Sequence, residues 1–167
     1  MSRAFVKESD DDLAAGELPE RPLSGHVNYV TPKGLELLQS RVRELSDRHE
    51  QLKREAEEDS EARQKLREID RDLRYFNAQL ERATPVDTAN QPRDRVHFGA
   101  SVKIEDPEGL EQEFSLVGDD EADVASGKIS WASPLARAMI GAKVGDTVVW
   151  HRPAGEAEVY IVDIRYP

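Results

Sequence analysis

The sequence predicts an α+β protein: an N-terminal antiparallel helical hairpin, then a small domain built on an antiparallel sheet. Three observations carry this. Two heptad seams mirror each other about Asp59. Short stretches rich in Val, Ile and aromatic residues, separated by Gly, Asp and Pro, fill the second half. Among them, Ser133-Pro134 and Gly141 bracket one short amphipathic helix.

Composition narrows the function classes. The 167 residues leave room for one or two small domains. A net charge of −11 makes free nucleic acid a poor partner, because phosphate binding is driven by lysine and arginine releasing counterions. A basic protein surface or channel suits such a chain better. The absence of cysteine excludes disulfides, thiolate zinc sites and cysteine nucleophiles, and fits a reducing compartment. No apolar run approaches the ~20 residues of a membrane helix, and MSRAFVKESDDD lacks a secretory h-region. The expectation is a soluble, cytoplasmic protein with no membrane partner.

Residues 1–30 carry Asp10, Asp11, Asp12, Pro19 and Pro22 with few large apolar groups, which predicts a flexible acidic tail. Tyr29 and Val30, at its end, are expected to dock on the folded body. Thr31-Pro32 is a helix start, with threonine as N-cap and proline at the first helical position. From there Leu35, Leu38, Val42, Leu45, His49, Leu52 and Ala56 form one seam. Ala62, Leu66, Ile69, Leu73, Phe76, Leu80 and Ala83 form the second, with the order of steps reversed. A single helix would keep one heptad phase. The mirror and the phase slip together predict a hairpin over 31–83 with arms of about 35 Å. The rival is one long helix that dimerises, which the lack of Gly or Pro near Asp59 favours.

Residues 84–95, with Pro85 and Pro92, read as a linker, and 96–167 as the second domain. Strands are predicted at Ser101–Glu105, Glu113–Val117, Lys128–Trp131, Thr147–Trp150 and Glu158–Tyr166. The short helix after Ser133-Pro134 presents Leu135, Ala136, Met139 and Ile140 on its apolar side.

Candidate chemistry centres on EAEEDSE, residues 55–61, with five carboxylates in seven positions. Such crowding is tolerable only in solvent. One reading is a solubilising helix end, with Asp59 and Glu61 favouring the start of the second helix. The other is a carboxylate pair that helps hold Mg²⁺ inside another molecule. Outside this stretch the hairpin holds twelve Lys/Arg against eight acids, so negative charge is concentrated at one end. Asp120-Glu121-Ala122-Asp123 looks like a helicase tetrapeptide, but no phosphate-cradling loop accompanies it, and it reads as an acidic loop. His26, His49, His97 and His151 show no metal-ligand spacing. Ser133 sits in an N-cap setting without nucleophile-elbow glycines.

VHFGASVKIED, FSLVGDDEAD, KISWASPLARAMIGAKVGDTV and EVYIVDIRY resemble, in order and spacing, the C-terminal domain of the Gre family (GreA and GreB) of bacterial transcript-cleavage factors. TPKGLELL and LREIDRDLRYF match the two roots of the family's coiled-coil hairpin, so the likeness spans about residues 28–167. The resemblance implies an FKBP-like C-terminal domain and a monomer that binds bacterial RNA polymerase at the rim of its secondary channel. Nucleic acid would be met only indirectly, through the elongation complex. It further implies a hairpin tip whose acids help the polymerase hold a second Mg²⁺ for RNA cleavage, with no stably bound cofactor and no enzymatic activity of its own. Ser60-Glu61 matches the family's Ser-Glu pair and Glu58 falls at its aspartate position, which makes Glu58, Asp59 and Glu61 the candidate acids, with Glu58 and Glu61 as Mg²⁺ ligands. Ala132, Ser133 and Pro134 become the candidate polymerase contact. The chain departs from the pattern at Glu57, where the family has glycine, and at Ala62, Arg63 and Gln64, where it has asparagine followed by an aromatic. Each arm is also shorter by about one heptad, or ~10 Å.

Three functions are therefore carried forward. One is a cleavage stimulator. The second is a short-armed channel occupant that competes with other factors without cleavage. The third is a peptidyl-prolyl isomerase or chaperone whose pocket would draw on Phe98, Phe114, Trp131, Trp150, Tyr160 and Tyr166.

Overall fold

The computed structural model describes residues 18–167. The described chain divides into two compact units, one of 18–23 with Val42–Asn77, the other of Ser24–Arg41 with Ala78–Pro167. The acidic residues 8–12 of the expected tail lie outside the described residues.

Strand β1 (Asn28–Val30) leads into α1 (Pro32–Glu55), a four-residue turn, α2 (Ser60–Arg82) and β2 (Ala83–Pro85). Thr31 caps α1: its hydroxyl accepts from the Gly34 N–H at 2.9 Å. The seam residues named from the sequence are all buried or half-buried. Leu52, Ala56 and Ala62 form a small core with Leu66 and Ile69 against it, and His49 reaches across to Asp70 at 2.8 Å. The arms are thus antiparallel within one chain.

The helix breaks at 56–59 without glycine or proline, and the acids supply the reason. A continuous helix would bring Glu55 against Glu58 and Asp59, and Glu61 against Glu57 and Glu58, four repulsive pairs at helical spacing costing about 0.2–0.5 kcal/mol each. In the observed turn Asp59 instead caps α2, its Oδ1 accepting from the Glu61 N–H at 2.9 Å. Arg63 closes the turn by donating to the Ala56 carbonyl at 3.1 Å. Lys53 and Arg54 end α1, and Glu61 opens α2, each on the favourable side of its helix dipole.

Part of the segment expected as a free tail is engaged. Glu20 receives Arg74 through three contacts of 2.6–3.1 Å. Arg21 donates to Asp72 at 3.3 Å and lies 4.0 Å from the Tyr75 ring centre. Composition missed this because the contacts are ionic and cation–π rather than apolar burial. In the other unit, β1 pairs in parallel with β2, so Pro85 belongs to a strand where a linker was expected.

The remaining elements are β3 (Ser101–Glu105), β4 (Glu111–Val117), β5 (Lys128–Ser130), α3 (Pro134–Met139), β6 (Thr147–Arg152) and β7 (Gly155–Arg165). They form a five-stranded sheet in the order β5-β4-β3-β7-β6. It is antiparallel except that β5 runs parallel to β4, because the 118–127 connection carries the chain back before β5 begins. Val102, Ile104, Leu116, Val159 and Ile161 face Leu135, Ala136 and Met139 of α3 in one core. Ile140, expected on that apolar side, caps the helix and is 39% exposed, because the chain turns out at Gly141 with φ +87°. No helix among the described residues is long and apolar enough to cross a membrane.

Candidate functional site

At the tip Glu57, Glu58, Asp59 and Glu61 are all exposed. Their carboxylates are not equivalent. Asp59 is occupied as the cap of α2, and Glu61 holds Lys65 one turn on at 2.7 Å. The hydrogen bond that Lys65 donates to Glu61, with the Glu61 charge, raises the Lys65 pKa. The Glu58 side chain makes no hydrogen bond or ion pair among the described residues. No three of His, Asp and Glu converge as metal ligands there either. As folded, the tip offers two unengaged carboxylates among the described residues, Glu57 and Glu58, with no convergence of three acids, and does not fit a resident Mg²⁺ site, which calls for close convergence of oxygen ligands.

Ala132, Ser133 and Pro134 lie in the other unit, at the start of α3. Ser133 Oγ accepts from the Ala136 N–H at 3.4 Å, the N-cap expected from sequence, and Pro134 is exposed at the first helical position. Ala132 is fixed by its N–H donating to Ser130 Oγ at 3.2 Å. Pro134 stands between two depressions. One, of 640 Å³, is floored by Phe114, Ile129, Leu135 and Trp150; the other, of 420 Å³, includes Arg137, Val149 and His151. The aromatics proposed for a prolyl pocket are not gathered in one place. Phe114 and Trp150 share the larger depression, whereas Phe98 and Trp131 both pack on Tyr29 at 5.8 and 5.0 Å. Tyr160 is 44% exposed, and the Tyr166 hydroxyl is tied to Arg95 O and His97 N.

Sequence reasoning did not find the clamp made by Asp119, Asp120 and Glu121, of which it read the last two as part of an acidic loop. Asp120 accepts from Gln79 at 2.7 Å, and Gln79 is only 1% exposed. Glu121 accepts from the Thr31 hydroxyl and sits against Gly34, where a Cβ would stand 2.7 Å from its Oε1. Glycine three residues into α1 is a poor helix former, and this close approach explains its presence. Gly118 serves likewise: a Cβ there would strike the Tyr29 carbonyl. Asp119 meets His26 at 2.7 Å and Ser130 at 2.6 Å. Burial opposes ionisation of Asp119, but the Ser130 and His26 hydrogen bonds and the His26 charge outweigh it, so its pKa is lowered. The hairpin root is thus held by three consecutive acids.

A helical hairpin with an acidic turn, its root clamped to a five-stranded sheet domain, defines a two-part class of factor. Comparison then gives the family. The pattern described as "Transcription elongation factor, GreA/GreB, C-term" matches residues 91–166. The transcription elongation factor GreB of Neisseria meningitidis serogroup B is 36% identical over 153 residues, covering 83% of this chain and 94% of that protein. GreA of Nitratidesulfovibrio vulgaris is 42% identical over 106 residues, covering 63% of this chain and 65% of that protein. Among solved structures, GreA factor homolog 1 of Thermus thermophilus aligns over 84% of this chain and 99% of its own at 25% identity, with a TM-score of 0.38. The chain belongs to the GreA/GreB family of transcription elongation factors.

Proposed function

We propose that the protein regulates transcription elongation by binding RNA polymerase, placing its hairpin in the secondary channel while residues 132–134 meet the channel rim. The observation that carries this reading is the pairing of an antiparallel, acid-tipped hairpin with a C-terminal domain of the GreA/GreB pattern. Ser133 and Pro134 support it locally, because the cap and the adjoining depressions give a rigid, partly apolar contact at the start of α3.

Within this reading, occupancy of the channel without RNA cleavage is favoured. Asp59 is engaged in capping and Glu61 in its pair with Lys65, leaving Glu58 as the one unengaged acid of the three among the described residues. Stalled elongation complexes test both levels in one assay that follows RNA shortening alongside displacement of a longer-armed family member. The expected result is displacement without shortening at any Mg²⁺ concentration. RNA shortening that disappears in Glu58→Ala/Glu61→Ala would show instead that these acids complete a Mg²⁺ site with the polymerase. Failure to displace the competitor would reject the shared entrance.

A further inference from the structure

Pro134, Arg137 and Ala138 stand three and four positions apart on α3 and so share one face of the helix. The opposite face is spent on the core, where Leu135, Ala136 and Met139 are buried. The helix is thereby held in place, and its outward face walls the 420 Å³ depression, with Ala132 and with Val149 and His151 of β6 as the rest of the lining. Arg137 is exposed and makes no hydrogen bond or ion pair among the described residues. The other two arginines of residues 96–167 are engaged: Arg165 pairs with Glu113, and Arg152 rests 5.3 Å from the Trp150 ring centre. His151 is engaged too, its Nδ1 lying 3.2 Å from Glu156 Oε1. Neither Asp nor Glu is among the described residues that line the depression.

A chain of net charge −11 has acids in excess, yet none is spent on this guanidinium. Its fork of N–H donors matches the two oxygens of a carboxylate. The apolar walls from Ala132, Pro134, Ala138 and Val149 keep water from part of that contact, which strengthens the pair beyond one made in open solvent. On the other side of Pro134, the larger depression is floored by Phe114, Ile129, Leu135 and Trp150 and suits an uncharged side chain.

We propose that Arg137 is a specificity-determining residue of the rim contact: it receives an Asp or Glu side chain of the polymerase between α3 and β6, with Pro134 as the ridge between this charged point and an apolar one. The inference rests on the binding reading given above and adds the partner's chemistry, a protein surface that presents a carboxylate beside an apolar side chain. A nucleic-acid phosphate has similar oxygen geometry, but the negative charge of the chain disfavours it. As the basic residue in the last turn of α3, Arg137 also suits the helix dipole. Lysine serves a dipole as well but a carboxylate fork less well, which separates the two roles.

The test is displacement of a longer-armed family member from stalled elongation complexes. Arg137→Lys should weaken displacement about threefold, Arg137→Gln about tenfold and Arg137→Glu about a hundredfold. Denaturation midpoints of the lysine and glutamine variants should match the parent's, and the glutamine variant should lose part of the salt dependence of binding. Among polymerases with single acid-to-lysine changes at the channel rim, one should bind Arg137→Glu at least as well as it binds the parent. Equal displacement by all variants would overturn this inference and leave the binding reading standing. Weakening that tracks a lowered midpoint would make Arg137 a structural residue, and the absence of any rescuing polymerase would reject a protein carboxylate as its partner. Failure of the unaltered protein to displace the competitor would reject the binding reading and this inference with it.

Discussion

The Thr31 hydroxyl is used twice, accepting from Gly34 N–H as the cap of α1 and donating to Glu121, whose side chain is 6% exposed. Replacing it with valine removes the cap and leaves a nearly buried carboxylate short of a donor, with Lys128 at 4.0 Å as its remaining cation. Thr31→Val should therefore cost about 2–3 kcal/mol in chemical denaturation, more than an ordinary cap loss of about 1 kcal/mol. Asp119 makes a pH prediction. Because its pKa is lowered on folding, it stabilises the protein above the ordinary aspartate value of about 3.9, and that contribution is lost as pH falls through the folded value. Asp119→Asn should flatten the acid limb of the stability curve below about pH 4 while leaving the others' contributions in place, as read by denaturation midpoints across pH. At this scale the sequence was uneven. Ser133 and Thr31 were legible as caps because capping is local. The partners of Asp119, Asp120 and Glu121 were not, since His26, Gln79 and Thr31 lie 93, 41 and 90 positions away.

Periodicity made the hairpin the most legible element, and burial tracks its seam residue by residue. Leu52 is 1% exposed and sits where Ala56 and Ala62 let the arms approach closely. Leu52→Ala should cost about 2–4 kcal/mol, seen as earlier loss of helical circular dichroism. Dyes at positions 45 and 73 should report the same proximity at every protein concentration; proximity that appears only on concentration would indicate pairing between chains. The five strands of the larger sheet were found, with ends displaced by up to three residues, because Val and Ile mark a half-buried pleat but not where pairing stops. Two features escaped. Pro85 gave a linker signal, yet it ends a strand paired only with β1. The parallel run of β5 depends on the path of the preceding loop, which alternation of residue type does not encode.

For the molecule as a whole, family membership was legible from segments spread across the C-terminal half, while the engagement of the tip acids required coordinates. Asp59 and Glu61 look equivalent to Glu58 in sequence, and differ only because one caps a helix and the other finds Lys65. The division into units gives a direct experiment. Joining Arg41 to Ala78 through a short glycine-rich turn removes Val42–Asn77 and leaves the root residues that meet the sheet domain. This variant should unfold cooperatively and retain weaker polymerase binding. Complete loss of binding with the fold intact would count against the proposed contact at residues 132–134 and favour the hairpin.

Parallel pairing of β1 with β2 sets Asn28 against Ala83 and Val30 against Pro85, so the polypeptide enters and leaves the two helices through a hydrogen-bonded gate of fixed register. Lengthening one arm alone would then unbalance the hairpin. Seven residues added to α1 without seven added to α2 would leave about 10 Å of unmatched helix, or force a one-sided bulge against the opposite arm. Reach at the tip is then set in steps of matched gains or losses on both arms, so a seven-residue insertion into α1 alone should destabilise the hairpin and a matched insertion into α2 should restore it, as read by helical circular dichroism on denaturation.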